Sequence, residues 1–281
     1  MSHPNNNPAQ SSLTVSGRYS AFPYPSPTVD AKLDQFEELV NLVEMIGLET
    51  RYNLAGKSVL DAGVGTGHRL AALARHHPDT RFTAIDFAEQ VLRIARQVAQ
   101  QNEITNIRFQ RDDLMAGIQS SDPFDVALCM GVLHHLHDPV KGAENLRHAL
   151  APDGFAALYL YGRAGARERL KRKEILALLT EGSRDDIKLG ISLARALGFD
   201  DFDYGWTPQI DQATTDSLLV DAYFNPRETL YDIDDIHDLA KHSGFHAYVI
   251  FGVTREKSGQ LFDTRPAYLA SRMSPTTIRQ T

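Results

Sequence analysis

Cysteine occurs once in the 281 residues, as Cys129, so no disulfide can form within the chain. That thiol lies in the apolar run Val126-Ala127-Leu128-Cys129-Met130 and reads as a small core hydrophobe, not a nucleophile. No stretch approaches the roughly 18 consecutive apolar residues of a membrane-spanning helix. The opening MSHPNNNPAQSS lacks the basic start and apolar segment of a secretory signal. The expectation is a cytoplasmic protein with no membrane partner. Positive charge is also short: 29 Lys and Arg stand against 36 Asp and Glu, a formal net charge of -7. Broad phosphate-backbone binding needs clustered cations, so nucleic acid is not an expected partner. The one basic run, RAGARERLKRK at 163–173, suits a solvated helix face.

What the chain does have is a glycine-rich turn at 59–68, VLDAGVGTGH. An apolar run, an acid, glycines at Gly63, Gly65 and Gly67 and then RLAAL predict a buried strand, a tight turn and a helix start. Glycine permits positive φ and close approach of a ligand to the backbone, and the helix start is expected to offer unpaired N–H groups. A dinucleotide fingerprint would need glycine where His68 stands. Asp61, just ahead of the turn, would repel a pyrophosphate but suits a cation. A second apolar strand at 82–86 ends in Asp86, whose carboxylate can accept two hydrogen bonds from ribose hydroxyls. A third at 107–110 runs into Asp112 and Asp113, and a fourth at 124–130 into GVLHHLHDP. After a helix at 138–150, a fifth strand at 156–161 ends at Tyr161. Strands alternating with helices predict a doubly wound parallel sheet, with the ligand crevice off the carboxyl ends of its strands.

In that order these motifs resemble the class I S-adenosylmethionine-dependent methyltransferases, over residues 59–161. The match comprises Asp-x-Gly-x-Gly-x-Gly at 61–67, the acids at Asp86 and Asp113, and FDVALCMGVLHHLHDP; Asp153 replaces the first glycine of the family's Pro-Gly-Gly. The resemblance implies an α/β fold: a doubly wound, mostly parallel seven-stranded sheet with a helical substrate cap inserted after strand five. It implies S-adenosylmethionine as cofactor, with Asp61 near the methionine moiety, Asp86 on the ribose and Asp113, or failing that Asp112, on the adenine amino group. Gly63, Gly65, Gly67, Phe87, Leu114 and Met130 complete the implied cofactor site. Methyl transfer from a sulfonium mainly requires orientation, worth roughly 7–11 kcal/mol. A base is needed only where the acceptor must lose a proton. His134 and His135 in the crevice loop, and Tyr161, are the catalytic candidates. HHLH is a poor zinc site: adjacent histidines point apart, and no cysteine pair or suitably spaced glutamate accompanies them. No metal is expected.

Around the core at 51–161, residues 1–18 read as a disordered tail and 19–50 as an aromatic, proline-rich arm followed by a helix at 31–47. The arm, with Tyr19 and Tyr24, is either a lid or a surface strap. Residues 162–231 read as the cap, with helices at 167–180, 187–197 and 214–220. Its aromatics Trp206, Tyr223 and Phe224 either line an acceptor pocket or form the cap's own core. Residues 232–273 supply a capped helix and two final strands, an antiparallel hairpin at the sheet edge. The expected acceptor is a small organic molecule bound by Tyr19, Tyr24, Trp206, Tyr223 and Phe224. The other readings are a protein side-chain methyltransferase, a nicotinamide-dependent oxidoreductase and a non-catalytic S-adenosylmethionine binder.

Overall fold

Val59, Leu60 and Ala62 in strand β1 (Ser58–Ala62) have no exposed surface, as a central strand covered on both faces requires. The computed structural model describes residues 15–26, 28–180, 184–201, 211–249, 254–255, 261–262 and 268–270. β1 pairs in parallel with β2 (Arg81–Asp86) on one side and β4 (Phe124–Met130) on the other. β3 (Ile107–Arg111) lies outside β2, and β5 (Leu150–Tyr159) beside β4, both parallel. The chain thus steps outward from β1 to β3 and returns across the sheet to β4. That reversal opens a crevice at the carboxyl ends of β1 and β4.

The parallel body has five strands, and two antiparallel ones bring the sheet to seven. Two three-residue segments, β6 (Ala247–Val249) and β7 (Tyr268–Ala270), add to the β5 edge in antiparallel sense, with Phe155 opposite Ala270 and Tyr248 opposite Leu269. Alternation along the strands divides the core. Val59, Val126 and Leu128 face Leu39, Val40, Leu70, Leu92 and Val98 of helices α2 (Glu38–Thr50), α3 (His68–His76) and α4 (Glu89–Gln101). Leu60, Ala127 and Cys129 face Leu146 of α5 (Pro139–Ala149) and Leu239 of α9 (Ile233–His242). Burial pushes the Cys129 thiol far above its ordinary range, which keeps it protonated and inert.

Two expectations at the amino end are corrected. Helix α1 (Val15–Ala21) begins inside the stretch read as a tail, because Arg18 is buried and Tyr19 finds partners on the cap. The remainder of that tail, 1–14, lies outside the described residues. The helix expected at 31–47 is broken into a single turn, Leu33–Gln35, and α2, since Phe36 leaves helical geometry to pack 4.7 Å from the His68 ring. After β5 the chain enters α6 (Arg167–Leu179), α7 (Arg184–Ala196) and α8 (Gln212–Phe224), which enclose a core of their own containing Leu176, Ile187, Ile191, Leu219 and Phe224. It comes back beside its point of departure: Gly162 bridges Tyr231, Arg163 N donates to the Tyr231 carbonyl at 2.8 Å and Tyr231 N to the Tyr161 carbonyl at 2.9 Å.

Candidate functional site

Gly63, Gly65 and Gly67 all have positive φ (+87°, +56° and +76°), so the turn after β1 is built as the sequence predicts. Its N–H groups are not left for a ligand. Gly63 and Val64 donate to the Ile85 carbonyl at 2.8 and 3.0 Å, Gly65 to Asp86 Oδ2 at 3.1 Å, Thr66 to the Tyr24 carbonyl at 2.9 Å and Gly67 to the Val64 carbonyl at 3.2 Å. The glycines instead let neighbours close in. A Cβ on Gly63 would stand 2.3 Å from Val132 Cγ2, and one on Gly65 2.4 Å from the Tyr24 carbonyl oxygen. Gly65→Ala should therefore strain the backbone by about 1–3 kcal/mol and unseat the arm. Limited proteolysis should show faster cleavage around Tyr24, and an unchanged cleavage rate would contradict this account of the turn.

Two buried carboxylates, Asp61 and Asp86, stand near the carboxyl ends of β1 and β2. Asp61 is buried, and burial pushes its pKa up to about 7, with Asp86 adding to the rise and Arg69 opposing it. Asp86 accepts from Ala88 N at 2.9 Å through Oδ1 and from Gly65 N through Oδ2, leaving further lone pairs on both oxygens. Burial raises its pKa too, and those backbone N–H groups oppose the rise. Phe87 beside it is 39% exposed, and Leu114 and the partly buried Met130 come from the ends of β3 and β4. Asp112 is occupied with its own loop, accepting from Asp113 N, Gln110 Nε2 and Gln119 N at 2.9, 3.1 and 2.9 Å. Asp113 is exposed and accepts through Oδ1 from Met115 N at 2.9 Å.

The pKa of Asp61 has a thermodynamic consequence. Between its ordinary value of 3.8 and about 7 the folded chain keeps a proton that the unfolded chain has released. Stability of the ligand-free protein must then fall as pH rises through that window, by about 1.4 kcal/mol per pH unit at most. Urea unfolding at pH 5 and pH 7 should show this fall, and Asp61→Asn should flatten it. A slope that survives the substitution would place the proton elsewhere.

Residues 19–28 tie the core to the cap. Arg69 Nη2 donates to Tyr24 Oη at 2.9 Å, and its guanidinium lies 5.1 Å from the centre of that ring. His68 Nε2 donates to the Thr28 carbonyl at 2.9 Å, which leaves Nδ1 to accept from the Thr66 hydroxyl, also at 2.9 Å. Burial lowers the His68 pKa to about 4, in keeping with a neutral ring. On the cap side, Thr214 Oγ1 donates to Ser26 Oγ at 2.6 Å and Thr28 Oγ1 to Asp211 Oδ2 at 2.7 Å.

The three catalytic candidates of the sequence lie together but are not equivalent. The His134 ring has no exposed surface, stacks on Tyr161 at 3.9 Å and has no hydrogen bond at either nitrogen among the described residues. Burial above all, then His135 and Arg169, lowers its pKa to about 2. His135 Nδ1 donates to the Arg227 carbonyl at 2.8 Å, and its Nε2 lies 3.8 Å from Asp221 Oδ1. Tyr161 Oη donates to Asp221 Oδ2 at 3.0 Å and Tyr19 Oη to Oδ1 at 2.9 Å. Of the expected acceptor residues, Tyr19 and Tyr24 thus reach this region. Tyr223 and Phe224 do not: both are buried in the cap's own core, Tyr223 Oη donating to the Phe199 carbonyl at 3.0 Å. Trp206 lies outside the described residues. Sequence reasoning gave no role to Asp221 or Arg69. The signal for Asp221 was its place as the one charged residue in the run SLLVDAYF.

Residues 59–154 match the family described as Methyltransferase domain. An uncharacterised protein of Synechococcus sp. is 29% identical over 244 residues, which is 82% of this chain and 58% of that protein. The ubiquinone biosynthesis O-methyltransferase of Coxiella burnetii is 31% identical over 156 residues, 52% of this chain and 63% of the relative. The chain therefore spans about six-tenths of the length of these relatives. Among solved structures, PKMT2 of Rickettsia typhi superposes with a TM-score of 0.60 at 15% identity, covering 86% of this chain and 54% of that one. Magnesium protoporphyrin IX methyltransferase of Synechocystis, with SAH bound, gives a TM-score of 0.52 at 18% identity, covering 85% and 84%. At those identities the likeness is one of fold.

Proposed function

We propose that the protein, whose residues 59–154 match the family described as Methyltransferase domain, is a class I S-adenosylmethionine-dependent methyltransferase that transfers a methyl group to a hydroxyl of a small organic acceptor. The observation that carries the reading is the pair of buried carboxylates, Asp61 and Asp86, at the crevice beside a turn whose N–H groups are spent. Such a site repels a pyrophosphate and suits a ligand with a cationic end and hydroxyls. The residues fit S-adenosylmethionine: Asp61 would face its positively charged methionine end, Asp86 the ribose and Asp113 the adenine amino group, with Phe87, Leu114 and Met130 against the ring. When bound, it supplies a methyl carbon activated for in-line displacement, the electron pair of the broken C–S bond passing to sulfur.

The chain's own groups supply holding, exclusion of water and proton transfer. The arm at 19–28 covers the turn and closes the site against solvent. His135, fixed through Nδ1 with its Nε2 lone pair toward the cap, takes the proton from the acceptor hydroxyl as oxygen gains the methyl group. His134 stays neutral and packs as a spacer under Tyr161. The name of the Coxiella burnetii relative supports oxygen as the acceptor atom. Among the described residues no helix is long and apolar enough to cross a membrane.

Calorimetry with S-adenosylmethionine, S-adenosylhomocysteine and NADH tests the reading. The first two should bind saturably and NADH should not. Binding of NADH alone would replace it with the oxidoreductase alternative, and donor binding without transfer to any hydroxyl compound would leave a binding protein.

A further inference from the structure

Three separate stretches of chain converge on one carboxylate. Asp221, on α8 of the cap, has a side chain only 10% exposed. One oxygen accepts the phenol of Tyr19 from α1, the other the phenol of Tyr161 from beyond β5. Tyr19 Oη also accepts from Asn225 Nδ2 at 3.0 Å, so this phenol is fixed between an amide and the carboxylate. Two hydroxyl donors hold the carboxylate in a single orientation.

Opposite it stands a group that hydrogen bonding leaves unsatisfied. His135 Nε2 is buried and has no hydrogen bond among the described residues, and it lies 3.8 Å from Asp221 Oδ1. The Arg227 carbonyl can only accept, so the neutral ring carries its proton on Nδ1 and turns its lone pair toward the carboxylate. Two acceptors facing each other are unfavourable until one gains a proton, when they attract. The other groups packed around the pair do not substitute for Asp221. His134 lies edge-on to His135 with ring centres 4.1 Å apart and stays neutral, and Tyr161 lies edge-on at 5.7 Å. Arg169 of α6, 4.8 Å from the centre of the Tyr161 ring, is paired with Glu228, which also takes Lys173 at 3.2 Å. Arg69 of α3 acts on Asp221 from the core side, against Tyr24 and Glu38.

We propose that Asp221 is a positioning residue of the acid–base site: it holds a negative charge where His135 becomes an imidazolium, and Tyr19 and Tyr161 fix its orientation. The site is then complete only with the arm seated, because Tyr19 belongs to the arm. This rests on the reading above, in which His135 takes the acceptor's proton.

The test uses the full chain without donor, with 15N-labelled histidine followed by NMR. In Asp221→Asn the ratio of doubly to singly protonated His135 at a fixed pH should fall about tenfold, the usual influence of one nearby opposite charge. Tyr19→Phe should move it the same way by about threefold. With donor and acceptor, Asp221→Asn should lower kcat at least about tenfold and shift the acid limb of its pH profile to lower pH, with Asp221→Glu restoring part of both. The donor's Kd should stay within about threefold. An unchanged protonation ratio in a folded Asp221→Asn protein overturns the proposal. If that variant does not fold, an unchanged ratio in Tyr19→Phe does so. A wild-type protein that binds no donor would defeat the methyl-transfer reading, while the NMR ratio would still decide the role of Asp221.

Discussion

His135→Ala is expected to lower turnover about 10²–10⁴-fold, the usual contribution of a positioned general base, while the donor's Kd changes by less than about threefold. The two adjacent histidines differ in what surrounds them. His134 is stacked on Tyr161 and its pKa is lowered to about 2 by burial, so it has no proton affinity to lend near neutral pH. His135 is anchored by the Arg227 carbonyl and directs its other nitrogen at the cap. His134→Phe keeps the stack and should keep most of the turnover. Steady-state kinetics on the two variants, with circular dichroism to check folding, would decide. Equal losses from both, or an acid limb of the pH profile that persists in His135→Ala, would remove His135 as the base.

Asp86→Ala should weaken donor binding by about 1.5–3 kcal/mol, or roughly 10- to 150-fold, from the loss of charge-assisted hydrogen bonds to the ribose. The structure adds a second cost. Asp86 also satisfies the N–H groups of Gly65 and Ala88, so its removal loosens the turn that shapes the crevice. Asp86→Asn keeps an acceptor for only one of those two N–H groups, so it should loosen the turn less than Asp86→Ala while still binding the donor less well than the parent. Asp153→Ala, at an exposed position near the start of β5, serves as the control. Calorimetry giving the same loss for Asp153→Ala as for Asp86→Ala would end the ribose assignment.

The strand, turn and helix start at 59–68 and the order of the parallel strands were legible in the sequence because their features are local. A run such as VLDAGVGTG fixes strand, turn and helix start within ten residues, and the acids at 61 and 86 follow from strand ends. The positive φ angles and the 3-2-1-4-5 order of the parallel strands agree with that reading. The cluster around Asp221 depends on contacts between residues far apart in the chain, which spacing cannot show. Asp221 meets Tyr19 across 202 positions and Tyr161 across 60. Tyr223 and Phe224 looked like pocket aromatics, but the period of α8 turns them into the helical cluster, where Phe224 fills the space that Gly190 leaves on α7. The seat of the arm on the turn was out of reach for a similar reason, since the Tyr24 carbonyl that accepts from Thr66 N comes from 42 positions earlier.

The return of the chain to its point of departure at Gly162 and Tyr231 makes residues 163–230 a cassette with abutting ends. A segment whose ends abut is expected to tolerate exchange for another of different length without shifting the strands of the parallel body. The exchange is not unconditional. On the proposed reading, a replacement would have to bring an acid to the place of Asp221, facing His135, and at the points where Ser26 and Thr28 of the arm are fastened a hydroxyl in the place of Thr214 and an acceptor in the place of Asp211. A transplanted cassette lacking that acid should leave a protein that still captures its donor but turns over at least about tenfold more slowly.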